Sequence, residues 1–113
     1  MISQYTNAEL INLSMLPEWK LKLKILSKPP EENLRWRYNL QVSLAEFSKT
    51  HKNHSELQMK IVQLTINIER YVRKALMLCY LNEVKTKHPN ESPARYKELA
   101  KALVEEYIKR RSY

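Results

Sequence analysis

No glycine occurs anywhere in the 113 residues. No position therefore has a residue free to take positive φ at no steric cost, which disfavours tight primed hairpin turns and glycine C-caps. The same absence removes every glycine-rich phosphate loop. Aspartate is missing too, so all 12 acidic residues are glutamate and a Ser-His-Asp arrangement lacks its acid. The single cysteine, Cys79, excludes an internal disulfide framework and suits a reducing compartment. It sits inside an apolar run, where a thiolate is disfavoured and packing as a small hydrophobe is expected. No apolar run approaches the roughly 20 residues that cross a bilayer. Met1-Ile2-Ser3-Gln4-Tyr5 lacks the basic and apolar regions of a secretory leader. A cytoplasmic protein is expected, with no membrane among its partners.

What remains leans towards leucine, lysine and glutamate, the good helix formers, over a length that suits one domain at 1–113. A chain of this size can bury a sufficient core without disulfides or metals. The organising stretch is 55–88. From Leu57, the residues Ile61, Leu64, Ile68, Tyr71, Ala75 and Leu78 follow at steps of four and three, a heptad seam that no proline interrupts. As one helix the stretch runs about 51 Å at 1.5 Å per residue. A second apolar row, Val62, Ile66, Leu76, Tyr80 and Val84, lies round the side. The rows merge in Ala75-Leu76-Met77-Leu78-Cys79-Tyr80-Leu81, which covers every face of two turns and calls for neighbours all round. The fold expected is an all-α helical bundle around one long central helix. The shorter helices cannot cover the whole rod, so a homo-oligomer is expected.

Thr6-Asn7-Ala8-Glu9 forms a capping-box pattern ahead of a short helix through Leu10, Ile11, Leu13 and Leu16. Pro17 either opens a new helix or breaks the first. Residues 18–44 admit two readings. Trp19-Lys20-Leu21-Lys22-Leu23-Lys24-Ile25 and Leu34-Arg35-Trp36-Arg37-Tyr38-Asn39-Leu40 alternate strictly, as half-buried strands do, so a β-hairpin packed on the helices (an α+β fold) is the alternative. Helices are favoured because Pro30-Glu31-Glu32 is a good helix opening. The rows Leu34, Tyr38, Val42, Ala45 and Trp36, Leu40, Leu44, Phe47 also fit a buried helix, and an isolated ribbon has no third strand to support it. Lys49 to Asn53 reads as a polar connector, with Ser55 capping the central helix. That helix ends near Lys87-His88, before Pro89. Ser92-Pro93 opens the last helix, 93–111, with Tyr96, Leu99, Ala100, Leu103 and Tyr107 inward and Glu105 paired to Lys109. Ser112 and Tyr113 are expected to fray.

Little here points to catalysis. His51 and His54 are three apart, but a zinc site needs three or four ligands and nothing nearby has ligand spacing. Glu31-Glu32 and Glu105-Glu106 read as solvated faces with no source of a raised pKa. No enzyme, metal or cofactor is expected. The balance of 20 lysines and arginines against 12 glutamates, a net charge of +8, favours anionic partners. Arg35-Trp36-Arg37-Tyr38 interleaves rings with guanidinium groups, as single-strand binders do. Arg35 and Arg37 nevertheless lie about 200° apart on a helix, so the rings read first as core. Other basic clusters are Lys20, Lys22, Lys24 and Lys28, then Arg70, Arg73 and Lys74 on one helix face, then Lys109-Arg110-Arg111. The expectation is a small basic accessory protein that holds a nucleic-acid backbone through Arg70, Arg73, Lys74 and Lys109 to Arg111, with Arg35, Arg37, Lys20, Lys22 and Lys24 as further contacts. A helical protein-protein adaptor, inhibitor or assembly subunit is the alternative, separable by the salt dependence of binding.

Overall fold

The computed structural model describes residues 5–111, so the N-terminal residues 1–4 and the expected fraying at Ser112 and Tyr113 lie outside it. Five helices are formed among the described residues: α1 Asn7–Ser14, α2 Glu18–Leu26, α3 Pro30–Thr50, α4 Ser55–Lys87 and α5 Pro93–Arg110. The fold is all-α and a packed helical bundle. The β-hairpin alternative for 18–44 is not formed, and no strand occurs among the described residues. Nor does any of them take positive φ, in keeping with a chain that has no glycine to do so without cost.

Local chemistry sets the helix starts. Thr6 Oγ1 accepts the Glu9 N–H at 3.2 Å, and the Glu9 carboxylate accepts the Thr6 N–H at 3.0 Å, a complete capping box. Those bonds hold the Glu9 carboxyl below the usual carboxylate range. Pro17 opens α2 from its N-cap position, in extended conformation. Pro30 is the first residue of α3, with Glu31 and Glu32 in the first turn where the helix dipole favours them. Ser92 Oγ accepts the Arg95 N–H at 3.3 Å to start α5. At α4 the expectation fails. His54 occupies the N-cap with no side-chain cap bond and Ser55 is already helical. The connector is also shorter than expected, because α3 runs on through Lys49 and Thr50.

The short connectors after α3 and α4 fold both neighbours back antiparallel to α4. Ion pairs fix the register: Arg37 of α3 meets Glu69, and Arg73 meets Glu105 of α5. α1 packs against both α3 and α4, and α2 lies more loosely beside α4. The molecule measures 56 × 27 × 22 Å, its length set by the 33-residue α4. Its radius of gyration is 16.9 Å, against about 13 Å for a compact domain of this length. An elongated bundle leaves more helix surface uncovered.

That geometry corrects the seam. Leu57, Ile61, Leu64 and Ile68 are buried as expected, but the buried line then continues through Val72, Leu76 and Val84. Tyr71 and Ala75 are half-buried and Leu78 is 61 % exposed. Helices α1 to α3 cover the first half of α4, whereas α5 packs on the second half from another side. The first apolar row is therefore buried only near the start of α4 and the second only near its end. The opposite halves, Val62 and Ile66 on one row and Leu78 on the other, stay open. The run 75–81 is not surrounded, and Cys79 is exposed rather than packed. In α5 the buried positions are Tyr96, Ala100, Val104 and Ile108, with Leu99, Leu103 and Tyr107 half-buried. The inward stripe is thus shifted from the one expected, because α5 meets α4 along a four-residue row.

Candidate functional site

The alternating pattern of α2 has a consequence on a helix that it lacks on a strand. At about 100° per residue, Leu21 and Ile25 fall on one side, and Trp19, Leu23 and Leu26 fall roughly 150° away. The bundle takes the first row: Ile25 is buried and Leu21 packs against the core. The second row has no inner surface left to meet. Trp19 is 61 % exposed, and Leu23 and Leu26 are open as well. The same winding splits the lysines that a strand would place on one face. Lys20 and Lys24 point outward together, and Lys22 falls on the groove side with Trp19 and Leu26.

Four contacts hold α2 in place. Proline bounds it on both sides, at Pro17 and at Pro29-Pro30. The side-chain amide of Asn33, wholly buried, donates to the Ile25 carbonyl at 3.0 Å and to the Lys28 carbonyl at 3.1 Å, tying off the end of α2. Lys28 Nζ lies 4.3 Å from the Trp36 ring centre and also donates to the Lys24 carbonyl. Burial, and then the charge of Lys24, lowers the pKa of the Lys28 amine. Asn33 was invisible to the sequence reading, since an asparagine in a first turn normally faces water.

Between α1–α2 and the first half of α4 runs a half-open groove of about 890 Å³. Met15, Trp19 and Leu26 form one wall, and Ile61, Leu64 and Tyr71 of α4 the other. Met15 is 74 % exposed at its mouth. The charged side chains lining it are Lys22, Lys60 and one carboxylate, Glu18. No ion pair engages any of the three among the described residues.

The cations proposed for nucleic acid are scattered. Arg73 is joined to Glu69 of its own helix and to Glu105 of α5. Burial works to lower its pKa, but the hydrogen bonds it donates to Glu105 and Glu69 outweigh that and raise it. Arg37, with a side chain only 17 % exposed, meets the other oxygen of Glu69 at 3.1 Å. Arg37, Glu69, Arg73 and Glu105 therefore form one network that ties α3, α4 and α5 together. Glu105 is used there rather than on Lys109. Arg70 and Lys74 are exposed beside this network. Arg35 meets Glu31, Arg110 meets Glu106, and Arg111 lies over the Tyr107 ring at 3.8 Å. The α5 terminus with Lys109 to Arg111 is level with Arg70 along the bundle, whereas Lys20, Lys22 and Lys24 belong to α2.

Trp36 is a core residue. Its ring is buried, and its Nε1–H donates to the Tyr5 hydroxyl at 2.9 Å. Burial raises the Tyr5 pKa. His51 stacks on Phe47 at 4.4 Å, and His54 meets the same ring edge-on. No group of three metal-ligating side chains forms among the described residues. None of the described helices is long and apolar enough to cross a membrane. Comparison with known proteins finds no matching family model, curated protein or solved structure.

Proposed function

We propose that the protein is a non-enzymatic helical docking module whose groove between α2 and α4 receives a protein partner. The observation that carries this is the second apolar row of α2. Trp19, Leu23 and Leu26 together with Met15 expose more contiguous apolar surface than scattered surface residues would, and it borders a concavity of pocket size. Exposed tryptophan beside a groove is the residue type that dominates binding energy at interfaces. Selection of peptides from a display library on the full chain tests the reading. Selected peptides should share apolar residues at helical spacing and lose tenfold or more in affinity to Trp19→Ala or Met15→Ala. Peptides indifferent to both substitutions would refute it.

Nucleic-acid backbone binding is the second reading, favoured by Arg70 and Lys74, which lie exposed with no ion pair among the described residues. Each phosphate neutralised contributes just under one unit of log–log salt slope on duplex DNA. Because Arg73 is already matched by two carboxylates, replacing Arg70, Arg73 and Lys74 with Gln should reduce the slope by about two rather than three. No binding to DNA or RNA at low salt would remove this reading.

A further inference from the structure

We infer that the occupant of the groove is an acidic amphipathic helix: an apolar row at helical spacing, bracketed by carboxylates. The inference rests on the docking reading above and goes on to name the chemistry of the partner.

The form of the occupant follows from backbone accounting. An extended segment laid in this groove would need its N–H and C=O groups paired, and the described residues offer no sheet edge to pair them. A helix satisfies its backbone internally and presents only side chains. The α4 wall is itself helical, and Lys60, Leu64, Asn67, Tyr71 and Lys74 lie along one strip at steps of three and four. From Lys60 to Lys74 this strip is about 21 Å long, four turns, which a partner helix of about 16 residues would span.

The sign of the partner follows from the cations. Lys22 on α2 and Lys60 on α4 line the groove against the one carboxylate of Glu18, Lys74 lies one step beyond Tyr71 on the same strip, and no ion pair engages any of these lysines among the described residues. Most arginines of the bundle, by contrast, already have glutamate partners. Closing an apolar surface over unpaired lysines lowers the dielectric around them, so a partner that brings carboxylates is favoured and one that brings cations is opposed. A second copy of this chain is a poor occupant for the same reason. Two-fold pairing of this face would bring the lysines of one copy, Lys22 and Lys60, close to those of the other, with only Glu18 on each side to offset them.

The test uses the full chain and two synthetic helical peptides of about 16 residues. Both carry leucines at i, i+4, i+7 and i+11, with glutamate flanks in one and lysine flanks in the other. Fluorescence anisotropy on labelled peptide should show the glutamate peptide binding at least tenfold more tightly. Lys22→Glu with Lys60→Glu should reverse that order, and Trp19→Ala should weaken the glutamate peptide tenfold or more. Circular dichroism verifies that each variant keeps its helices, and Lys22→Gln with Lys60→Gln supplies an intermediate that adds no new charge. Equal affinity for both peptides, still sensitive to Trp19→Ala, overturns the acidic partner while leaving the groove reading intact. Failure of both peptides overturns it too. The groove reading then stands if display-selected peptides depend on Trp19 and falls if they do not. An oligonucleotide that binds where neither peptide does overturns the inference in favour of the backbone reading.

Discussion

Leu64→Ala and Leu78→Ala remove the same atoms from positions fourteen residues apart, equivalent points of one heptad seam. Periodicity alone assigns them equal cost. The structure separates them, since Leu64 is 3 % exposed within the main core cluster and Leu78 is 61 % exposed. Truncating Leu64 loses the transfer energy of three carbons and leaves a cavity among rigid helices, which together cost about 2–5 kcal/mol. At Leu78 only the smaller part of the side chain is out of water and no closed cavity can form. A full leucine burial contributes about 1.5–3 kcal/mol, so the loss there should be about 1 kcal/mol or less. Equilibrium urea denaturation, with the slope m checked for constancy, measures both. The experiment is run at two protein concentrations tenfold apart. Equal costs would mean that the heptad reading is right and the placement of α5 wrong. A Leu78→Ala cost that grows with protein concentration would mean that a second copy covers this part of α4.

Two other perturbations read the polar contacts. Glu69→Gln leaves the mostly buried Arg37 guanidinium without its counter-charge and loosens Arg73, so it should cost about 2 kcal/mol, whereas Glu105→Gln, at an exposed pair, should cost under about 1 kcal/mol. Similar losses in denaturation would refute the assignment of Glu69 as the hub. Tyr5→Phe removes the acceptor of the Trp36 N–H and should cost about 1–3 kcal/mol near neutral pH. Because burial raises the Tyr5 pKa, the folded state holds this proton more tightly than the unfolded chain. The Tyr5 contribution is therefore complete below pH about 10 and is lost as pH rises through the folded value. Lys28, with a lowered pKa, acts in the opposite sense, so the quantity to measure is the difference between wild type and Tyr5→Phe. A difference that does not shrink on going above pH 10 would contradict the shift.

The helices themselves were legible because their determinants are local. Thr6 with Glu9, Pro30 ahead of Glu31 and Glu32, and Ser92 ahead of Pro93 each specify a start within four residues, and the lack of glycine disfavoured the tight primed turns of a two-residue hairpin. The strip Leu57 to Ile68 was legible for the same reason, since period and burial agree wherever a helix meets a partner along one side. The groove was not. An alternating segment wound into α2 presents two apolar rows, and nothing in residues 18–26 says which of them the bundle will take. Tertiary packing decided it, by turning Leu21 and Ile25 inward and leaving Trp19, Leu23 and Leu26 in water. It also decided where the α4 seam changes rows and which cations stay free. Arg73 faces Glu105 across 32 positions of sequence, and that pairing exists only because α5 folds back along the second half of α4. Propensity and capping act over a few residues, whereas burial and charge pairing depend on which helices become neighbours.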